Sequence, residues 1–320
     1  MSLRTVTRAR ASALIIGGAS LFAATSPGRT QANASISIAA IPIEGTAEAF
    51  YAKELGLFTK VGLEANIVQM ASSAAIAGAI AANAIDIGYL TLDTLAAAHQ
   101  KGIPLIAIAP VAEYLSPATL RNLALVLPAN SAVHQAGDLN GKIVAVPGLN
   151  GLNQTATRAW IDQNGGDSST VKFVEIPFPA MPAALEAGRI DAASLVEPFL
   201  DIAKKNGRVL AYGEDAIAKH FLPNAWCRTS QWAKGNPDLV NRFVIANHEA
   251  AVWANKNPKK SVEFLELYTK TDPAIIAATP RVRFAEQLTA PLIQPLIDAS
   301  AKYNGFSTFP AEDLMYTPSR

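Results

Sequence analysis

The chain has 320 residues, with 27 lysines and arginines against 26 aspartates and glutamates, and half of its residues are hydrophobic. That length accommodates two domains of ordinary size, each with its own core. Charged residues make up only 17% of the chain, and no basic stripe is available to neutralise phosphates, so nucleic acid is not expected as a partner.

The N-terminus reads as a targeting segment. Arg4, Arg8 and Arg10 form a basic region ahead of the small, apolar run Ala11–Ala24. That run has the length of a signal core and is short for a membrane span. Ala32-Asn33-Ala34 fits the small-residue cleavage rule, so residues 1–34 are expected to be removed, with a cut after Ala32 as the alternative. The arginines are not adjacent, which gives little support to twin-arginine export. Losing residues 1–34 removes four arginines and no acids, leaving 23 basic against 26 acidic residues, a net charge of −3. The sole cysteine, Cys227, permits no intrachain disulfide. An exported, periplasmic protein stabilised by its core is the expectation.

Ser35–Ile41 alternates and is β-rich, a first strand followed by the turn Pro42–Gly45. Thr46 can cap a helix that runs to Leu55 and stops at Gly56. Leu63–Met70 is a strand, Ala71–Ser73 caps a helix to Ala82, and Ile85–Leu90 is a third strand. Thr91–Asp93 opens a helix ended by Gly102, and Leu105–Val111 is a fourth strand. Asn122–Leu127 and Lys142–Val146 follow as strands, and Gly148–Thr155 opens a helix broken at Gly165-Gly166. Strands at 171–176, 190–196, 208–212 and 225–229 alternate with helices at 179–187 and 198–205. This alternation argues for parallel α/β sheets. From Asn236-Pro237, an N-cap followed by proline, the pattern is helical as far as Lys302, and Pro310 begins a terminal tail.

Residues 79–90 and 184–195 repeat one pattern. Ala79/Ala184, Ala82/Ala187, Ile85/Ile190, Asp86/Asp191 and Leu90/Leu195 all lie 105 residues apart, as do Ile38–Pro42 and Ile143–Pro147. Two α/β units of one plan predict a two-lobed molecule with a cleft between the lobes. The C-terminal helices have no sheet of their own. One lobe is therefore assigned to residues 35–114 plus 229–320 and the other to 115–228, with hinge segments at Glu113–Ser116 and Ala225–Thr229.

Ala49-Phe-Tyr-Ala-Lys-Glu-Leu-Gly-Leu-Phe-Thr-Lys-Val-Gly-Leu63 resembles the opening motif of solute-binding proteins of the nitrate/sulfonate/taurine type, also called the thiamine-precursor-synthase-like family. Ile85-Asp86-Ile87-Gly88-Tyr89, Asp138–Pro147, Gly188-Arg189-Ile190-Asp191 and Glu197-Pro198-Phe199 resemble further segments of that family, in its order. The resemblance covers roughly residues 36–270. It implies a type II periplasmic-binding fold, capture of a small-molecule ligand by lobe closure, and delivery to the permease and ATPase of an ABC importer. The protein is then expected to be a monomer, without a cofactor and without catalysis. The ligand expected is a small organic solute of the sulfonate, aromatic or heterocyclic acid class.

Ligands of open α/β sheets sit at the carboxyl ends of strands, where helix N-termini offer free amides. Four such loops are candidates. They contribute Glu44, Gly45 and Thr46; Ser72 and Ser73; Tyr89, Thr91 and Asp93; and Asn150, Gly151 and Asn153. Thr46, Ser72, Ser73 and Thr91 are equally ordinary N-caps. Gly148–Asn153 lacks both the dinucleotide and the P-loop spacing. Phe178 and Glu197 follow strands of the second unit, Tyr114 lies on the outward hinge, and Trp226 and Arg228 flank the return hinge. Arg228, with Arg121, is a candidate cation. Glu197 either receives an N–H-bearing ligand group or pairs with a nearby arginine, because a carboxylate is costly to bury alone. Met181 and Phe199 read as packing, and Asp86 and Asp191 as structural.

Two other readings fit an α/β chain of this kind. An enzyme of the thiamine-precursor-synthase branch needs a cysteine-rich motif, and this chain has one cysteine. His99, His134, His220 and His248 show no metal-ligand spacing, and no Gly-x-Ser-x-Gly elbow occurs. A periplasmic sensory module would share the fold.

Overall fold

In a computed structural model, residues 33–116, 123–278 and 281–317 are described. The assigned targeting segment up to residue 32 and Arg121 lie outside them.

Thirteen strands occur among the described residues: β1 (Ala34–Ala40), β2 (Leu63–Gln69), β3 (Ile87–Thr91), β4 (Leu105–Pro110), β5 (Ala112–Leu115), β6 (Leu123–Pro128), β7 (Ile143–Val146), β8 (Lys172–Glu175), β9 (Ala192–Val196), β10 (Gly207–Tyr212), β11 (His220–Phe221), β12 (Asn224–Thr229) and β13 (Arg283–Phe284). They form two five-stranded sheets, ordered β2-β1-β3-β12-β4 and β10-β6-β9-β7-β8, and a small sheet β11-β5-β13. The molecule is an α/β protein of the type II periplasmic-binding fold, with two lobes, a hinge and an interlobe cleft.

The two large sheets share one plan. β1 runs parallel to β2 and β3, and β7 runs parallel to β8 and β9. In each sheet the next strand is antiparallel to both its neighbours: β12 between β3 and β4, β6 between β9 and β10. The sequence pattern predicted parallel sheets throughout. The antiparallel strands arise because the chain enters each sheet from the opposite lobe at that point, a direction that periodicity does not encode. Asn224–Thr229 is accordingly an interior strand of the first sheet rather than a hinge segment.

The repeated aspartates tie neighbouring strands together. Asp86 Oδ2 accepts hydrogen bonds from the amide and hydroxyl of Ser37, and Asp191 Oδ2 accepts one from the Ile143 amide. The connection from β1 to β2 is set by local chemistry. Gly56 ends the Ala47–Glu54 helix at φ +70°, a conformation that costs a side-chain-bearing residue energy.

The C-terminal helices complete the first lobe. Pro237–Lys256 packs on Ala47–Glu54, with Phe58 stacked on Phe243 at 5.9 Å. The segment after Pro310 is not a loose tail. Ala311 and Leu314 are fully buried, and the Tyr316 amide donates to the Ala107 carbonyl of β4. Among the described residues no helix is long and apolar enough to cross a membrane.

Candidate functional site

The carboxyl ends of β1, β2 and β3 face those of β7, β8 and β9 across a cleft that opens to solvent. Its walls hold eleven of the residues proposed from sequence: Glu44, Gly45, Ser72, Ser73, Tyr89 and Thr91 from the first lobe, Gly151, Asn153, Phe178 and Glu197 from the second, and Tyr114 on β5. Thr46, Asp93, Asn150, Trp226 and Arg228 are not on the walls.

The reasons are local. Thr46 is fully buried, and its hydroxyl lies 3.1 Å from both the Ile43 carbonyl and the Tyr268 hydroxyl, which fixes the loop from behind. Trp226 sits inside β12, and its indole N–H donates to Glu48. Arg228 is buried beneath the same sheet. Its guanidinium donates to the carbonyls of Ile80 and Ile85 and to Asn83 Oδ1, and lies over the Trp232 ring. The candidate cation is therefore a brace for the turn before β3. Asn150 is exposed at φ +58°, and its carbonyl accepts from Asn304.

The hydroxyls on the wall serve the scaffold as well. Ser72 Oγ caps the Ser73–Ala81 helix by accepting from the Ala75 amide. Ser73 Oγ accepts from the Thr91 amide, and the Thr91 and Thr94 hydroxyls are 2.9 Å apart. Asn153 spends its amide N–H groups on Ser194, through the carbonyl and the hydroxyl. Gly151 leads into the Leu152–Gln163 helix.

Three aromatic faces shape the cleft. Tyr89 is edge-on to Trp226 and accepts from the Asn224 side chain. Tyr114 donates to Asp215. Phe178 stacks on Phe199 with ring planes 6° apart, so Phe199 packs behind the wall, and Met181 is fully buried. An apolar annex opens beside Phe178 between Met70 of the first lobe and Pro177, Pro179 and Phe199 of the second.

The charged residues on the wall are four acids, Glu44, Glu113, Glu197 and Glu214, and one base, Arg283. Glu44 is 3% exposed. Its Oε1 accepts from Arg281 and from the Val282 amide, yet burial outweighs these partners and raises its pKa. Glu197 is 4% exposed. Its Oε2 accepts from the Asp201 amide, and Lys204 stands 3.6 Å from Oε1. Burial, together with the charges of Asp201 and Glu44, pushes the Glu197 pKa up to about 7. Glu113 is held by Arg283 and His220. Behind the wall, burial likewise pushes Asp93 up to about 7, against hydrogen bonds from Thr91 and the Thr94 amide.

Several wall residues carried no signal in the sequence. Val282 and Arg283 come from the helical C-terminal stretch through the two-residue strand β13, and Glu214 from a short turn after β10. Asn224 starts β12, where the sequence suggested a hinge; its Oδ1 accepts from the Ala112 amide. Among the described residues no cluster of His, Cys, Asp or Glu could hold a metal ion.

A cleft built from strand-end loops of two like sheets defines a solute-binding class of protein. Residues 29–267 match the NMT1-like family, and the chain belongs to it. The taurine-binding periplasmic protein of Escherichia coli K12 is 25% identical over 245 residues, 72% of this chain and 73% of that one. Two crystal structures share the fold. The periplasmic aliphatic sulphonate binding protein SsuA from Escherichia coli has a TM-score of 0.71 at 17% identity, covering 89% of this chain and 93% of that one. The periplasmic nitrate-binding protein NrtA from Synechocystis PCC 6803 also scores 0.71, at 15% identity, covering 90% and 92%.

Proposed function

We propose that this protein is the periplasmic substrate-binding component of an ABC importer, which captures a small organic solute by lobe closure and performs no chemistry on it. The observation that carries this reading is the cleft itself, to which six strand-end loops, three from each lobe, contribute. The family match and the names of the relatives support it. In this proposal residues 1–34 are removed on export near Ala34, and the monomer delivers its ligand to a permease and ATPase. The lobes assigned from sequence are residues 35–114 with 229–320, and 115–228; the pairing of β12 within the first sheet supports taking the return crossing ahead of Asn224. The eleven wall residues named above are the proposed ligand contacts. Tyr89, Tyr114 and Phe178 suit the flat body of an aromatic or heterocyclic solute. A sulfonate or other acid group would find amides at the helix N-termini but four carboxylates on the same walls.

A ligand that binds only the native state raises its melting temperature by mass action. Screening the purified protein against sulfonates, aromatic acids, heterocycles and amines is expected to give a saturable shift without product. Conversion of a bound compound would overturn the reading.

A further inference from the structure

The cleft is asymmetric in chemistry, with donors for the ligand in short supply and acceptors in excess. Glu44 and Glu197 stand on opposite lobes, close enough that the charge of one disfavours ionisation of the other. Both are more than nine-tenths buried. Each has one oxygen without a hydrogen bond from a described residue. On Glu44 it is Oε2, since Arg281 and Val282 both address Oε1. On Glu197 it is Oε1, since Lys204 at 3.6 Å is beyond hydrogen-bond range. Both oxygens keep some access to the cleft, where a charged N–H group can reach them and form a charge-assisted hydrogen bond.

The geometry points to a solute with a cationic, N–H-bearing group, an amine, amidine or guanidine, held between Glu44 of one lobe and Glu197 of the other. The inference rests on the solute-binding reading above and adds the class of solute. A group held by one carboxylate from each lobe would tie the two lobes together across the cleft. Arg281 and Lys204 do not replace the ligand. Arg281 is engaged at Oε1 of Glu44, at the Tyr51 hydroxyl and at Ser261, and Lys204 makes its short contact to Asp201 at 2.8 Å. The flat body of the solute lies against Phe178 and Tyr89, and its far end faces the amides that begin the Ser73–Ala81 and Leu152–Gln163 helices.

The test compares probes of one size by calorimetry and thermal shift on the purified protein. Benzamidine or 4-(aminomethyl)benzoate is expected to bind, and benzoate and benzenesulfonate are not. Glu44→Gln and Glu197→Gln are expected to weaken the nitrogen-bearing probe roughly 10- to 100-fold, the range for a hydrogen bond to a charged group. Because Glu44 also anchors Arg281, a variant that misfolds is replaced by a measurement on the unaltered protein. Cation affinity should rise with pH as Glu197 ionises, by up to about tenfold per pH unit below about pH 7. Asp201, Lys204 and Glu44 face Glu197 and set its midpoint, while Arg281 and Tyr51 face Glu44. An affinity that falls with rising pH, tighter binding of benzoate or benzenesulfonate, or binding of neither nitrogen-bearing probe overturns the cation assignment. Tighter binding of an acid would still leave the solute-binding reading standing, whereas turnover of a probe would remove both.

Discussion

The two lobes use one strand plan but fasten their wall carboxylates differently. In the first lobe Glu44 is locked by Arg281 and the Val282 amide, from the segment entering β13, and Glu48 beneath it by Trp226 of β12 and Asn247 of the Pro237–Lys256 helix. In the second lobe Glu197 has a backbone amide from its own following turn and a lysine at 3.6 Å. The added C-terminal helices give the first lobe a second layer of partners behind its wall. The second lobe holds its equally buried carboxylate with groups from its own following turn and helix.

Four substitutions would break or sharpen that contrast. The largest effect is expected for Arg281→Ala, which leaves Glu44 buried without its cation. A loss of about 3 kcal/mol is expected from denaturant unfolding, and a loss below about 1 kcal/mol would mean that the first wall is not locked as described. Next comes Gly88→Ala. A Cβ at Gly88 would stand 2.4 Å from Ile76 Cγ2 and 2.8 Å from Ile80 Cδ1, both fully buried. The matching position 105 residues on is Ala193, so the second lobe accepts the methyl that the first excludes. A cost of roughly 1–3 kcal/mol is expected, and a neutral result would show that the helix over β3 can shift.

Asp93→Asn addresses pH. The carboxyl is raised to about 7 by burial, so its contribution to stability is complete below the unfolded pKa, about 3.9. That contribution is lost as pH rises through the folded value. The slope is at most about 1.4 kcal/mol per pH unit for one proton. Melting temperatures taken from about pH 4 to about pH 8 should therefore decline less steeply in the variant. Equal slopes would mean that Asp93 is ionised throughout. The smallest effect is expected for Lys204→Ala, whose side chain is 35% exposed. A change of about 0–1 kcal/mol is expected, and a loss as large as that of Arg281→Ala would erase the difference between the walls.

The parts of this architecture that repeat with a strict period were legible. The helices following β1, β2, β3 and β7, the stop at Gly56 and the structural use of Asp86 and Asp191 follow from local chemistry. Most strand-end loops placed their predicted residues on the cleft for the same reason. What was not legible depends on which lobe a strand joins. Trp226 and Arg228 read as hinge residues because their segment follows the second unit, where the chain returns to the first lobe, but β12 inserts between β3 and β4 of the first sheet and buries both. β11 and β13 are two residues each and leave no periodic trace, so Arg283 and Val282 could not be placed.

The position of β12 also dictates an order of assembly. Strands β1 to β4 are complete by residue 110, yet β3 and β4 have no partner on their facing edges until residues 224–229 arrive from the far side of the second lobe. The edge of β4 gains its last backbone bond only from Tyr316. A chain that folds as it emerges from its N-terminus therefore has every strand of the β6-to-β10 sheet before residues 224–229 arrive to join β3 and β4. Contacts that join residues so distant in sequence form slowly. Removing only the last few residues should slow the closing of the sheet that is begun first.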